Sequence, residues 1–134
     1  MDNRKISLFY QSIINELIET REDLRYIKDA DVTIIALASQ HRKKTGDKLV
    51  LGQCEKIADK YRWGIPCEFT ITVFEPNIIG MSHEQIKILL LHELYHVGID
   101  GEKLYIKKHD LEDFKAIINA YGTDWATVDE PMEI

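Results

Sequence analysis

The chain has 134 residues, of which 45% are hydrophobic and 30% are charged, as expected for one globular domain with a single core. No window approaches the roughly 18 apolar residues that a membrane-spanning helix needs, so a membrane protein is not expected. The formal net charge of −6 argues against a nucleic-acid-binding module, because such domains usually carry a basic face.

The cysteine content favours a cytoplasmic protein. Cys54 and Cys67 are too few for a disulfide framework, and two free thiols are typical of a reducing compartment. The amino end is charged and runs into an amphipathic pattern rather than the apolar core of a signal peptide.

Residues 7–74 are predicted to form one helix, three strands and one or two further helical turns. Apolar residues recur at helical spacing over residues 7–27, which predicts an amphipathic helix that covers one side of the core. The run 32–38 predicts a buried strand, residues 41–48 a loop, residues 49–52 a second strand, and residues 54–61 one or two helical turns. The alternating run 69–74 is the clearest strand in the chain.

A second helix is predicted from Ser82 to about Val97. Gln85 stands three residues after Ser82, which gives a capping-box pattern, and Gly98 suits the carboxyl end of the helix. Its apolar residues spread around most of the circumference, so we expect this helix to be buried.

The remaining residues predict a turn, a strand and a third helix. Asp100 and Gly101 form the turn, residues 104–106 are extended, residues 110–121 form the helix, and the tail from about residue 123 is loose. The chain is thus predicted to be one α+β domain over residues 1–134. It would contain a small, mainly antiparallel or mixed sheet of about three strands, packed with helices.

Residues 92–96 carry the pattern H-E-x-x-H inside the second predicted helix. On a helix, residues four apart share one face, so the imidazoles of His92 and His96 can reach a single cation. Glu93 is offset by one residue, and it can stand near a metal-bound water without being a ligand. Buried polar groups need partners, and a metal ion would supply them. The pattern predicts a Zn²⁺ site with Glu93 as the general base of a peptidase.

A catalytic zinc usually takes three protein ligands, so the third must come from outside this helix. His109, just before the third predicted helix, is our first candidate, and Glu112 or Asp113 could ligate instead. His41 and His83 are not expected to take part.

Supporting roles are less sharply defined by the sequence. Asp110 and Asp113 could orient the ligating imidazoles, and Tyr95 or Tyr105 could stabilise the oxyanion of a tetrahedral intermediate. The strand over residues 69–74 precedes the metal-binding helix, and we expect it to form the sheet edge beside the cleft, where a substrate peptide could pair with it.

These motifs resemble the putative phage metallopeptidases, small proteins often encoded in phage and prophage genomes. The shared features are the strand over residues 69–74, the stretch 92–98 and the later run 109–114. The chain is also more loosely similar to the catalytic core of SprT and Spartan proteases. That similarity implies a zincin-like fold with His92, His96 and His109 on zinc.

The predicted function is therefore zinc-dependent hydrolysis of peptide bonds in a peptide or protein substrate. The alternative is a metal-stabilised binding or regulatory protein of phage or prophage origin without significant peptidase activity. A nucleic-acid partner is disfavoured by the acidic balance of the chain.

Overall fold

The computed structural model of the chain describes residues 4–61, 63–107 and 132–133. Within these ranges the protein has an α+β fold, and no α-helix there is long and apolar enough to cross a membrane. The α-helices are α1 (Leu8–Thr20), α2 (Arg25–Asp29) and α3 (His83–Leu94). The strands are β1 (Arg4–Ile6), β2 (Ile34–Ser39), β3 (Lys44–Thr45), β4 (Lys48–Val50), β5 (Gly52–Lys56), β6 (Phe69–Phe74), β7 (Val97–Asp100), β8 (Lys103–Ile106) and β9 (Met132–Glu133).

The amino-terminal helix is amphipathic as predicted, but it ends earlier than predicted. The side chain of Ser7 caps α1 by accepting a hydrogen bond from the backbone N–H of Tyr10. Helix α1 ends at Thr20 because Arg21 takes an extended conformation, and a short 3₁₀ helix (Glu22–Leu24) then leads into α2. The prediction of one helix over residues 7–27 is therefore wrong about its continuity.

The main sheet is mixed and has four strands in the order β1-β2-β6-β5. Strands β2 and β6 are parallel, whereas β1 and β5 are antiparallel to their neighbours. The sequence predicts a mainly antiparallel or mixed sheet of about three strands, so the sheet is one of the two predicted kinds and has one strand more. A smaller sheet has the order β3-β4-β9, and β7 and β8 form a separate hairpin.

Between β2 and β6 the structure differs from the predicted elements. The predicted loop over residues 41–48 contains β3 and the first residue of β4, which pair with each other. The predicted strand over residues 49–52 is divided between β4 and β5. Residues 54–61 do not begin as a helical turn, because Cys54 lies within β5 and only Asp59–Tyr61 is a 3₁₀ helix.

Strand β6 matches its predicted bounds, but its predicted place in the sheet is wrong. It lies between β2 and β5, so among the described strands β5 forms the edge of the main sheet at this end. β5 contains glycine, charged residues and no β-branched residue, and its pairing with β6 outweighs its low strand propensity.

Helix α3 begins and is buried as predicted. Ser82 and Gln85 form both hydrogen bonds of the capping box, over 3.2 and 2.8 Å. Every residue from 88 to 94 is buried. α1 and α3 pack together, and the core lies between these two helices and one face of the main sheet.

The carboxyl end of α3 differs from the prediction. The helix ends at Leu94 rather than near Val97, because the chain turns into β7 and pairs with β8 instead. Gly98 is consequently a strand residue and not a helix cap. A Cβ atom added at Gly98 would lie 2.5 Å from the ring of Tyr105, so only glycine leaves room for that ring.

Candidate metal centre

The H-E-x-x-H motif straddles the end of α3. His92 and Glu93 lie in the last turn of the helix, and both are buried, with exposures of 2% and 3%. His96 follows the helix by two residues and is partly buried. The rings of His92 and His96 have centroids 5.1 Å apart and are nearly perpendicular, at 78°.

This separation suits two imidazoles that share one zinc ion. Zinc–nitrogen bonds of about 2.1 Å and a tetrahedral angle would place two ring centroids roughly 5 Å apart. The observed 5.1 Å between His92 and His96 agrees with that value. Imidazole nitrogen is also among the ligand types that zinc prefers. The separation of the two rings and their ligand type are therefore compatible with one shared zinc ion.

A hydrogen bond fixes the orientation of the His96 ring. Its Nδ1 atom lies 2.6 Å from the carbonyl oxygen of Lys107. A carbonyl can only accept, so Nδ1 carries the proton and Nε2 is the ring nitrogen that can ligate. Ligating histidines commonly donate their other N–H to a carbonyl in this way. The sequence predicts Asp110 and Asp113 as orienting residues and gives no indication of Lys107, because Lys107 acts through its backbone carbonyl, which every residue has.

The third ligand is not found in the described part of the chain, where no three His, Cys, Asp or Glu side chains cluster as a metal site. His109, Glu112 and Asp113 lie outside the described residues, as does Asp110. His41 and His83 lie elsewhere: the His41 ring packs near Phe74 and the His83 ring near Phe9.

The carboxyl group of Glu93 lies against the edge strand β5. Burial raises the pKa of Glu93 to about 8, and a hydrogen bond from the backbone N–H of Cys54 partly offsets this shift. A Cβ atom added at Gly52 would lie 3.3 Å from Cγ and 3.4 Å from Oε2 of Glu93. Gly52 and Cys54 thus form a close-fitting wall around the Glu93 side chain. Neither residue is predicted from the sequence to belong to the site.

The hydroxyl group of Tyr95 makes its hydrogen bonds to residues outside the H-E-x-x-H motif. It donates to Asp23 and accepts from Nη2 of Arg21 over 3.1 Å. Its single hydrogen is donated to Asp23, which favours Tyr105 over Tyr95 of the two predicted oxyanion donors. The ring of Tyr105 packs over Gly98, and its predicted oxyanion role stays a prediction.

Together these elements define an α+β protein with a buried His-Glu pair and a second histidine at the end of one helix. The family model of the putative phage metallopeptidases matches residues 4–132, and the chain therefore belongs to this family. No curated protein and no solved structure matches the chain. The family description implies a metal and a peptide substrate. The looser similarity to SprT and Spartan proteases stays a prediction.

Proposed function

We propose that this protein is a zincin-like peptidase that hydrolyses peptide bonds with one zinc ion held by His92, His96 and His109. The observation that carries the proposal is the 5.1 Å separation of the His92 and His96 rings beside the buried Glu93. Membership of the metallopeptidase family supports the same reaction. The choice of zinc rests on the two imidazole ligands, and the choice of His109 rests on its place in the sequence.

Glu93 is the general base of the proposed reaction. When bound, zinc would act as a Lewis acid that makes water more acidic and polarises the scissile carbonyl. Glu93 would accept a proton from the attacking water and deliver it to the leaving amine. In the metal-free protein its pKa is raised to about 8 by burial, and a neighbouring cation would favour the carboxylate that a base requires.

The substrate would pair with strand β5 rather than β6. Cys54 directs its backbone N–H away from β6 toward Glu93. In an antiparallel ladder alternate residues point the same way, so the backbone groups of Lys56 also face this edge. The next residue points the opposite way, as this alternation requires. The backbone N–H of Ile57 donates to the carbonyl of Glu68, which directly precedes β6, over 2.9 Å. A peptide added at this edge would approach Glu93 along its backbone.

The proposal is tested by measuring bound zinc and cleavage of a broad peptide library in wild-type and variant proteins. Glu93→Gln should keep stoichiometric zinc and lose roughly 100- to 10,000-fold in cleavage rate, the usual contribution of a general base. His92→Ala, His96→Ala and His109→Ala should each lose zinc. The matched control is His83→Ala, which removes a histidine from the opposite end of α3 and should change neither quantity.

Three outcomes would contradict parts of this proposal. Wild-type protein that takes up no zinc would overturn the metal centre as a whole. Full zinc content in His109→Ala, with loss in Glu112→Ala or Asp113→Ala, would move the third ligand to a carboxylate. Stoichiometric zinc without any cleavage would favour the alternative function of a metal-stabilised binding or regulatory protein.

A further inference from the structure

Helix α3 sets the position of His96 only in part, since the backbone N–H of His96 donates to the carbonyl of Glu93 over 3.0 Å but the residue itself lies beyond the end of the helix. Helix α3 ends at Leu94, and Tyr95 is its C-cap residue. A metal site needs its ligands held within roughly 0.5 Å of the working geometry. The contacts of residues 95–97 therefore decide how well His96 is placed for the ion.

Tyr95, directly before His96, is tied to the connection between α1 and α2. Its hydroxyl donates to the carboxylate of Asp23, and Nη2 of Arg21 donates to the same hydroxyl over 3.1 Å. Arg21 in turn holds Asp23 with two hydrogen bonds of 2.9 Å, one from Nε and one from Nη2. This bidentate pairing fixes the carboxylate that receives the Tyr95 hydroxyl.

Val97, directly after His96, is tied to α2. The hydroxyl of Tyr26 donates to the carbonyl oxygen of Val97 over 2.6 Å. The ring of Tyr26 also lies under the ammonium group of Lys107, with Nζ 4.8 Å from the ring centroid. Lys107 is the residue whose carbonyl accepts from the His96 ring. Tyr26 thus contacts two residues that border the ligand.

We propose that Arg21, Asp23 and Tyr26 form a positioning clamp that acts through Tyr95 and Val97 to hold His96 at the geometry the metal requires. This role rests on the proposed metal centre, and all three clamp residues lie outside the H-E-x-x-H motif. None of the three clamp residues would touch the ion. The clamp holds the side chain of Tyr95 and the backbone carbonyl of Val97, the residues on either side of His96, whereas His92 lies within the helix.

A purely structural role for the same hydrogen bonds predicts a different result. Loss of a hydrogen-bonded tyrosine hydroxyl typically costs about 1 kcal/mol of stability, whether or not the bond positions a metal ligand. A positioning role predicts in addition that zinc affinity and ligand geometry change. Tyr10 provides a matched control, because its buried hydroxyl also donates to a carboxylate, Glu75, over 2.8 Å.

The test uses Tyr26→Phe, Tyr95→Phe and Tyr10→Phe, each made in the full chain. The zinc Kd is measured by competition with a chromophoric chelator, the Co²⁺-loaded protein is followed by visible absorption, and stability is followed by urea unfolding of the metal-free protein. Tyr26→Phe and Tyr95→Phe should weaken zinc binding roughly 10- to 100-fold, as is typical when a contact that orients a ligand is lost. Their Co²⁺ spectra should shift, while Tyr10→Phe should lose similar stability with the wild-type Kd and spectrum.

Unchanged zinc affinity and Co²⁺ spectra in Tyr26→Phe and Tyr95→Phe would overturn the clamp while leaving the metal centre intact. An equal loss of affinity in all three variants would also overturn it, since the effect would then follow stability alone. Failure of the proposed metal centre is distinguishable, because the wild-type protein itself would then bind neither zinc nor Co²⁺. Absence of cleavage would not affect these readouts, since every one of them measures the metal or the fold.

Discussion

The Nδ1 atom of His96 lies 2.6 Å from the carbonyl oxygen of Lys107, and the backbone N–H of Lys107 donates to the carbonyl of His96 over the same distance. One residue thus binds both the ring and the backbone of the proposed ligand. These bonds continue the pairing of β7 with β8, in which Val97 opposes Ile106. The hairpin is therefore the element that sets the tautomer of His96.

Substitutions at Lys107 should distinguish the effect of its backbone on zinc binding from the effect of its side chain. Lys107→Ala keeps the carbonyl and the N–H and removes only the contact of the ammonium group with the Tyr26 ring, so the zinc Kd should stay within about threefold of the wild-type value. Lys107→Pro removes the N–H that binds His96 and should weaken zinc binding roughly tenfold or more. Chelator competition measures both constants. Nitrogen NMR of the histidine rings should show a proton on Nδ1 of His96 in Lys107→Ala, and weak zinc binding in that variant would contradict the prediction.

Substitution of Gly52 should lower the rate of peptide cleavage and leave the zinc content unchanged. A Cβ atom there would lie 3.3 Å from Cγ of Glu93 and 3.4 Å from Cδ1 of Leu89, so the proposed general base must shift by a few tenths of an ångström. Gly52→Ala should therefore keep stoichiometric zinc and lower kcat/KM roughly tenfold, because small misplacements of reacting groups are costly. Metal analysis and peptide cleavage are measured on the same samples.

The control for this substitution is Gly64→Ala, since a Cβ atom at Gly64 meets no atom within 4 Å. It should leave kcat/KM unchanged. Wild-type cleavage in Gly52→Ala would show that the position of Glu93 tolerates this contact.

The ring of Tyr105 makes Gly98 necessary for the β7–β8 hairpin. A Cβ atom at Gly98 would lie 2.5 Å from that ring, so Gly98→Ala should destabilise the protein by about 1–3 kcal/mol, the usual cost of overpacking. Urea unfolding of the metal-free protein measures this loss. In a Tyr105→Ala background the same substitution should cost much less, and additive losses would contradict the proposed clash.

The elements that were predicted correctly are those determined by residues close together in the sequence. The alternation of residues 69–74 defined β6 to the residue, and the capping box located the start of α3. The burial of α3 also followed from its apolar circumference. The motif placed His92, Glu93 and His96 together, and their predicted roles remain proposals.

Elements that depend on distant partners were not predicted. Strand β5 has little strand propensity of its own and is extended because β6 pairs with it. The end of α3 was placed too late because Gly98 was interpreted as a cap, whereas its role is set by Tyr105 across the hairpin. The bond between Asp23 and Tyr95 joins residues 72 positions apart, and no local pattern indicates it.

The ion pair at the clamp should make stability depend on pH in a specific direction. Burial opposes ionisation of Asp23, but hydrogen bonds from Arg21 and Tyr95 outweigh it and lower the pKa of this carboxyl below its ordinary value of 3.8. A carboxyl with a lowered pKa in the folded state stabilises the fold above its unfolded pKa, and this contribution is lost as the pH falls through the folded pKa. The Asp23 side chain is 40% exposed and solvent screens its ion pair, so Asp23→Asn should be less stable than wild type by only about 0.5–1 kcal/mol at pH 7.

The difference between the two proteins should shrink below about pH 4 and vanish once Asp23 is protonated in the folded wild type. Urea unfolding at several pH values, with a chelator present throughout, measures it without a contribution from zinc. The control is Glu19→Gln, which removes an exposed ion pair with Lys28 and should change stability by less than about 0.5 kcal/mol at every pH. A constant difference between Asp23→Asn and wild type from pH 7 to pH 2 would show that the charge of Asp23 does not stabilise the clamp.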